Sequence, residues 1–194
     1  MPFYPDEKIA IFIDGANFYS TTKSLDFDID YKNLLKFFSA KGRMIKAYYF
    51  TALRENDDFS PLRPLLDWLD YNGFHIITKK AKTFTDRDGR TRIKGDMDIE
   101  ITVKMLELAP YIDHMLLFSG DGDFKAAVEA VQRKGVRVTV VSSMTTKPSL
   151  LADELRRQAD DFIEIDDLER EVGRPKRERS DNRYDDDDDD FGYD

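Results

Sequence analysis

Short apolar runs alternate with amphipathic stretches along most of this chain, and that alternation restricts the fold more than any other feature. Residues 8–14, 115–118 and 136–141 are nearly continuous apolar runs, which is typical of strands buried on both faces of a sheet. Residues 44–53 and 74–78, rich in β-branched and aromatic side chains, predict two further strands. Strands that alternate with helices form right-handed βαβ units, so we predict an α/β fold with a doubly wound parallel sheet.

Helices are predicted between the strands from apolar periodicity and from the residues that begin and end each segment. Asp30 is placed to cap a helix that stops near Gly42, and Ser60 with Pro61 is placed to begin the next, which Gly73 closes. The remaining predicted elements are helices over residues 18–23, 96–108, 124–134 and 149–158 and a short edge strand over residues 162–165.

Residues 79–95 predict an exposed β-hairpin inserted into the fold, with a turn at Asp86-Arg87-Asp88-Gly89. Only Asp86 and Asp88 oppose its basic residues, which are Lys79, Lys80, Lys82, Arg87, Arg90, Arg92 and Lys94. Such charge either protects an exposed hairpin from pairing edge to edge or binds a phosphate backbone. Both interpretations stay open on the pattern alone, although the position just before Asp98 favours nucleic acid.

Composition excludes several classes of function. The chain contains no cysteine, which rules out disulfides, thiolate zinc sites and a cysteine nucleophile and makes a reducing cytoplasm the expected location. No apolar run approaches the roughly 20 residues that span a bilayer, so we expect no signal peptide and no membrane partner. His114 precedes its predicted strand and is too far along the chain from Asp121 to support a Ser-His-Asp triad.

The end of the chain differs in character from the rest, so we predict one domain over residues 1–172 and a disordered tail over residues 173–194. The tail carries −4 of the net charge of −9 and includes six consecutive aspartates. It is either a solvated extension or a polyanion mimic that competes for a basic surface. The acidic body does not attract nucleic acid in general, so such a partner requires a local basic patch.

Carboxylates follow two of the predicted strands at the point where each strand ends. Asp14 ends the first strand, and Asp121 and Asp123 lie in the turn after residues 115–118. If those strands are neighbours, the side chains lie together at the carboxyl edge of the sheet, where ligands bind in such folds. A lone aspartate at either position would be read as a turn or helix-cap residue. Three of them from two strand ends favour a functional site.

A fourth acidic group comes from the segment Asp96-Met97-Asp98-Ile99-Glu100. Helical spacing places Asp96 and Glu100 on a polar stripe that faces solvent, together with Lys104 and Glu107. Asp98 instead lies at the edge of the buried stripe near the start of the helix. A carboxylate there is costly unless a positive group compensates it.

The four like charges Asp14, Asp98, Asp121 and Asp123 predict a metal site. Mutual repulsion raises at least one pKa in the absence of a cation, and a divalent ion holds all four ionised. Oxygen ligands without cysteine or histidine favour Mg²⁺ or Mn²⁺. Such a site binds phosphate oxygens and generates hydroxide, which predicts phosphodiester hydrolysis.

Three motifs in this order resemble the NYN domain family of PIN-like nucleases, in its LabA-like branch. They are Ile13-Asp14-Gly15-Ala16-Asn17-Phe18, Lys94-Gly95-Asp96-Met97-Asp98-Ile99-Glu100 and Ser119-Gly120-Asp121-Gly122-Asp123-Phe124. The resemblance covers about residues 8–165 and implies a Rossmann-like, PIN-like sheet with a metal-dependent ribonuclease site. Asp14, Asp98, Asp121 and Asp123 match the acidic metal-binding positions of the family.

The resemblance also implies roles for two polar residues. Asn17 matches an asparagine that positions substrate or water, although a helix cap explains it equally well, and Ser119 matches a supporting hydroxyl that also suits a cap. The leading prediction is therefore a Mg²⁺- or Mn²⁺-dependent ribonuclease whose RNA is held by Lys80, Lys82, Arg92, Lys94 and Lys147. A non-hydrolytic RNA-binding or regulatory module is the main alternative, and hydrolysis of a small phosphate ester is another. Oligomeric state is left open, with a homodimer as one alternative.

Overall fold

A seven-stranded sheet forms the centre of the protein in this computed structural model, which describes residues 3–54, 61–85 and 91–174. For residues 54, 82–85 and 91–94 the description is confined to the backbone. The strands are β1 (Lys8–Asp14), β2 (Arg43–Arg54), β3 (His75–Thr85), β4 (Thr91–Lys94), β5 (His114–Phe118), β6 (Arg137–Ser142) and β7 (Asp161–Glu164). They lie in the order β4-β3-β2-β1-β5-β6-β7, and all neighbouring pairs are parallel except β3 with β4. The predicted α/β sheet is confirmed.

Helices cover both faces of this sheet, as the continuous apolar runs predict. The helices are α1 (Gly15–Ser24), α2 (Tyr31–Ser39), α3 (Arg63–Tyr71), α4 (Asp98–Leu108), α5 (Lys125–Gln132), α6 (Asp153–Gln158) and α7 (Glu169–Val172). Side chains of α1, α2, α3 and α7 pack in one hydrophobic core, and those of α4, α5 and α6 pack in the other. In the central strand β1, Ile9, Ile11 and Ile13 belong to the first core, whereas Ala10 and Phe12 belong to the second. This alternation explains why the segment is apolar at every position.

The basic hairpin differs from the predicted insertion. The third strand does not end at Thr78 but continues to Thr85, so its extension is the first arm of the hairpin. It stays paired with β2 as far as the partners Arg54 and Ala81, because β2 is itself a long strand. The second arm is β4, whose backbone pairs Lys82 with Lys94 and Phe84 with Arg92. The predicted turn at residues 86–89 lies outside the described residues.

Several predicted helices begin later in the structure. Helix α4 begins at Asp98 instead of Asp96, and α6 begins at Asp153 instead of Ser149. Helix α3 begins at Arg63 with Pro64 in its first turn; the predicted cap Ser60 lies outside the described residues. A 3-10 turn over Gly122–Phe124 precedes α5. At α4 and α6, polar residues that suit a helix start belong instead to the loop before the helix.

The last described residues remain attached to the domain. The backbone N–H of Asp30 donates to the carbonyl of Val172 at 2.7 Å, and that of Arg174 donates to Asp28 at 2.8 Å. Contacts with the domain therefore reach Arg174, two residues beyond the predicted boundary, and the rest of the predicted tail lies outside the described residues. Within residues 3–54, 61–85 and 91–174, every helix is too short or too polar to cross a membrane.

Candidate active site

Strands β1 and β5 are neighbours, as the predicted grouping of Asp14 with Asp121 and Asp123 requires. Their register pairs Ile13 with Phe118, and the next residues along each strand, Asp14 and Ser119, come together at the carboxyl edge of the sheet. The Ser119 hydroxyl donates to Oδ2 of Asp14 at 3.2 Å, although the two residues are 105 positions apart. Asp14 is buried, with 7% of its surface exposed. The first and third motifs therefore share one site.

Further hydrogen bonds connect the two turns at this edge. The backbone N–H of Asp121 donates to the Ser119 hydroxyl at 3.2 Å, and that of Asp123 donates to Oδ1 of Asp121 at 3.0 Å. From the other side, Oδ1 of Asn17 accepts from the backbone N–H of Gly120 at 2.9 Å. Asn17 is not the helix cap, because Asp14 caps α1 by accepting from the Asn17 N–H. Asn17 instead fastens the start of α1 to the turn after β5.

Two glycines allow this close approach. A methyl group at Gly120 would overlap the carbonyl oxygen of Leu150, and the N–H of Ala152 donates to the Gly120 carbonyl at 2.8 Å. A methyl group at Gly15 would meet the ring of Tyr49 at 2.8 Å. Close packing therefore explains the glycine at these two positions of the first and third motifs.

Asp98 adds a third carboxylate from the first residue of α4, where it is half-buried. Burial, and then the charges of Asp121 and Asp14, raise the pKa of Asp98 to about 6. Burial also raises the pKa of Asp14, against the lowering effect of the bonds from Asn17 and Ser119. The repulsion expected among these carboxylates is therefore present.

Asp123 and Glu100 lie less deeply in the site than Asp14. Asp123 is exposed on the 3-10 turn, and its charge also raises the pKa of Asp98. The prediction that Glu100 simply faces solvent is wrong, because its carboxylate is partly buried and accepts from the ammonium group of Lys79 at 2.9 Å. Asp96 is exposed as predicted and lies 3.9 Å from the same ammonium group.

The basic residues expected to hold RNA divide into two groups. Lys80 and Lys147 are exposed. For Lys82, Arg92 and Lys94 only the backbone is described, as part of the β3–β4 pair. Lys79 is engaged by Glu100, so it offers less free charge to a phosphate than the sequence pattern suggested.

The donor set fits a hard divalent cation in its chemistry, since it offers carboxylate oxygens without cysteine or histidine. The negative charge at Asp98 and Asp14 is also uncompensated, as their raised pKa values indicate. In geometry, no three carboxylate or imidazole groups among the described residues are grouped so that they could hold a metal ion. The site is thus chemically suited to a cation without being arranged around one.

Sequence patterns do not predict two residues that lie near the site. A methyl group at Gly122 would overlap a carboxylate oxygen of Glu154, so this exposed side chain from α6 lies over the turn that carries Asp121 and Asp123. The hydroxyl of Ser142 is buried beside Gly120 and has no hydrogen-bond partner among the described residues. No local pattern marks either residue, because each reaches the site only through the order of the strands.

Comparison with known proteins agrees with this fold. The family model described as the NYN domain matches residues 8–166. The "Low amplitude and bright protein LabA" of Synechococcus elongatus is 32% identical over 181 residues, which cover 91% of this chain and 93% of that protein. A crystal structure of a protein of unknown function from Vibrio parahaemolyticus is 30% identical with a TM-score of 0.69, covering 90% of this chain and 100% of that one.

Proposed function

The chain belongs to the NYN domain family of PIN-like nucleases, and on that premise we propose that it is a ribonuclease dependent on a divalent metal ion. One observation carries the proposal. Carboxylates from two strand ends and a helix start lie at the carboxyl edge of the sheet, where burial, and then the charges of Asp121 and Asp14, raise the pKa of Asp98 to about 6. Partly buried carboxylates without a positive partner do not stabilise the fold, which favours a role for them in binding a cation.

The residues proposed to hold Mg²⁺ or Mn²⁺ are Asp14, Asp98, Asp121 and Asp123. When bound, such an ion would supply an activated water and stabilise negative charge on a phosphate group. Asp14 is held by the bonds from Ser119 and Asn17, so it keeps one orientation. Asp98 and Asp121 are less buried and are free to approach the ion. In this proposal Asp14 sets the position of the ion, and Asp98 and Asp121 complete its ligands.

Two further residues are proposed to organise the site rather than to react. The Ser119 hydroxyl donates to Asp14 and accepts from the backbone of Asp121, so it keeps two acidic residues in register. Asn17 holds the Gly120 backbone through its Oδ1 atom, which leaves its amide group to face substrate. The exposed side chains of Lys80 and Lys147, and those of Lys82, Arg92 and Lys94 from the sequence, are proposed to contact the RNA backbone.

The test is cleavage of single-stranded and structured RNA by the purified protein in Mg²⁺ or Mn²⁺ and in chelator. Asp121→Asn should lower the rate by about two to four orders of magnitude, because asparagine keeps the cap but removes the charge. Asp67→Asn, on the exposed face of α3, is the matched control and should cut at the wild-type rate. Absence of cleavage with either metal, or equal rates for Asp121→Asn and wild type, would overturn the proposal.

A non-hydrolytic RNA-binding module is the second candidate, and one observation favours it. The described carboxylate and imidazole groups include no ready-made metal cluster, so the acidic edge does not by itself form a complete catalytic centre. Under this alternative the protein binds RNA in the presence or absence of a metal ion and leaves it intact. Binding measured beside cleavage on the same RNA therefore separates the two candidates.

A further inference from the structure

The loop of residues 143–151 lies beside the carboxylates although it is distant from them in sequence. It follows β6, the neighbour of β5, and so leaves the sheet at the same carboxyl edge. The carbonyl oxygen of Leu150 fills the space next to Gly120, and the N–H of Ala152 bonds the Gly120 carbonyl at 2.8 Å. The loop therefore packs directly against the turn that carries Asp121.

Hydroxyl groups hold this loop in one conformation. The Ser143 hydroxyl accepts from the N–H of Thr145 at 3.0 Å, and the Thr146 hydroxyl accepts from the N–H of Leu150 at 3.0 Å. The N–H of Met144 donates to a carboxylate oxygen of Glu164 at 2.9 Å. Ser143 and Thr146 are buried, so these bonds lie inside the loop and hold its backbone.

The outer side of the loop carries an exposed lysine and an exposed apolar side chain. Lys147 is exposed, and the ion pairs among the described residues do not include its ammonium group. Lys79, on the other side of the site, is instead neutralised by Glu100 at 2.9 Å. Met144 is 55% exposed although its backbone is fixed. An exposed lysine on a loop that packs against the turn of Asp121 suits a polyanion that must approach the carboxylates.

We propose that the loop of residues 143–151 holds the RNA strand beside the carboxylate site, an inference that rests on the proposed function. Lys147 contacts a backbone phosphate, and Met144 packs against an unstacked base. The acidic body repels RNA, so a cation close to the site is needed to bring a phosphate to it. Because the loop is already ordered, little conformational entropy is lost when RNA binds.

The test is the affinity of the full chain for a labelled single-stranded RNA, measured by fluorescence anisotropy in Ca²⁺ at several salt concentrations. Lys147→Gln should weaken binding by about 3- to 10-fold and lower the slope of log affinity against log salt by about 0.7, the value for one phosphate contact on a single strand. Lys134→Gln is the matched control, since Lys134 is an exposed lysine beyond the end of α5, before β6 begins. It should leave both quantities unchanged.

Met144→Ala tests the second contact. It should weaken binding by about threefold without changing the salt dependence, because an apolar contact releases no counterion. Both changes are on exposed positions, and thermal melting of each variant confirms that the domain is intact. Wild-type affinity and salt slope in Lys147→Gln, or equal effects of Lys147→Gln and Lys134→Gln, would overturn the inference.

The outcomes separate this inference from the proposed function. If the wild type binds and cuts RNA and Lys147→Gln binds equally well, the inference fails and the ribonuclease stands. If the wild type binds RNA without cutting it and Lys147→Gln binds more weakly, the inference stands and the ribonuclease fails. If the wild type binds no RNA, both are overturned.

Discussion

The two edges of the sheet bury ionisable groups in opposite ways. At the amino edge, where β5, β6 and β7 begin, Arg137 donates to Glu7 at 2.6 Å and to Asp161 at 3.1 Å. At the carboxyl edge, burial and then the charge of Asp121 raise the pKa values of Asp14 and Asp98, and the ion pairs among the described residues include neither carboxylate. Removing one member of a buried ion pair destabilises a fold, whereas charge without a partner in the fold is available to a ligand. The contrast supports the proposal that the carboxyl edge binds a ligand.

His114 belongs to the same buried cluster at the amino edge. Its side chain is fully buried; Nε2 lies 2.7 Å from the Thr139 hydroxyl and Nδ1 lies 3.2 Å from a guanidinium nitrogen of Arg137. Burial, and then the charge of Arg137, lower the pKa of His114 to about 4. The imidazole is therefore neutral at pH 7, and the cluster contains one cation between two carboxylates.

The largest expected effect comes from breaking the compensated edge. Arg137→Leu leaves Glu7 and Asp161 without their partner, so the free energy of unfolding should fall by about 3 kcal/mol. For a chain of this size that corresponds to a loss in Tm of roughly 6–12 °C. Urea denaturation measures the free energy of unfolding, and thermal denaturation measures the Tm.

Arg133→Leu is the control for that variant. The Arg133 side chain is 65% exposed, and its ion pair among the described residues is a surface pair with Glu129, so its loss should cost about 0.5 kcal/mol or less. Equal losses from the two substitutions would contradict a special role for the amino edge.

Acidification should also weaken the amino edge. The pKa of His114 is about 4 in the fold, below its ordinary value of 6.5, so the unfolded chain binds more protons between these values. The contribution of neutral His114 is thus complete above pH 6.5 and is lost as the pH falls through 4. Between pH 7 and pH 5 it should amount to about 2 kcal/mol.

Urea denaturation at a series of pH values measures this loss. His114→Gln, which cannot take up a proton, should flatten that part of the pH profile. A profile of unchanged steepness in the variant would show that other groups are responsible.

The carboxyl edge should respond to a cation instead. Mn²⁺ at about ten times its dissociation constant should stabilise the wild type by about 1.4 kcal/mol, seen as a rise in Tm. Asp121→Asn should lose most of this rise, whereas His114→Gln should keep it. If the rise persists in Asp121→Asn, the ion binds elsewhere.

The smallest expected effect is a gain in stability when a charge is removed from the carboxyl edge. Because the pKa of Asp98 is raised from 3.8 to about 6, its charged form opposes folding at pH 7. Asp98→Asn should therefore stabilise the metal-free protein at pH 7 by about 1 kcal/mol after solvent screening, and the gain should disappear below about pH 4. Asp67→Asn, exposed on α3, should show no such gain. A loss of stability in Asp98→Asn at pH 7 would contradict the proposed repulsion.

Much of the fold could be predicted because its determinants are local. Residues 8–14 are apolar at nearly every position, and the structure buries Ile9 through Ile13 completely on both faces of the sheet. Asp30 is predicted to cap a helix, and its side chain accepts from the N–H of Asn33 at 3.0 Å. Element boundaries were less accurate where polar residues could serve a loop or a helix, as at the start of α6.

The sequence by itself determined the strand-helix alternation, the acidic turns and the absence of cysteine chemistry. Only the tertiary structure decided that β1 lies beside β5, which brings Asp14 to Ser119 across 105 residues. It also decided that Glu100 engages Lys79 and that residues 143–151 lie against Gly120. The reason is physical: periodicity and capping act within a few residues, whereas these contacts depend on the lateral order of strands, which is set by how all the apolar faces are buried together.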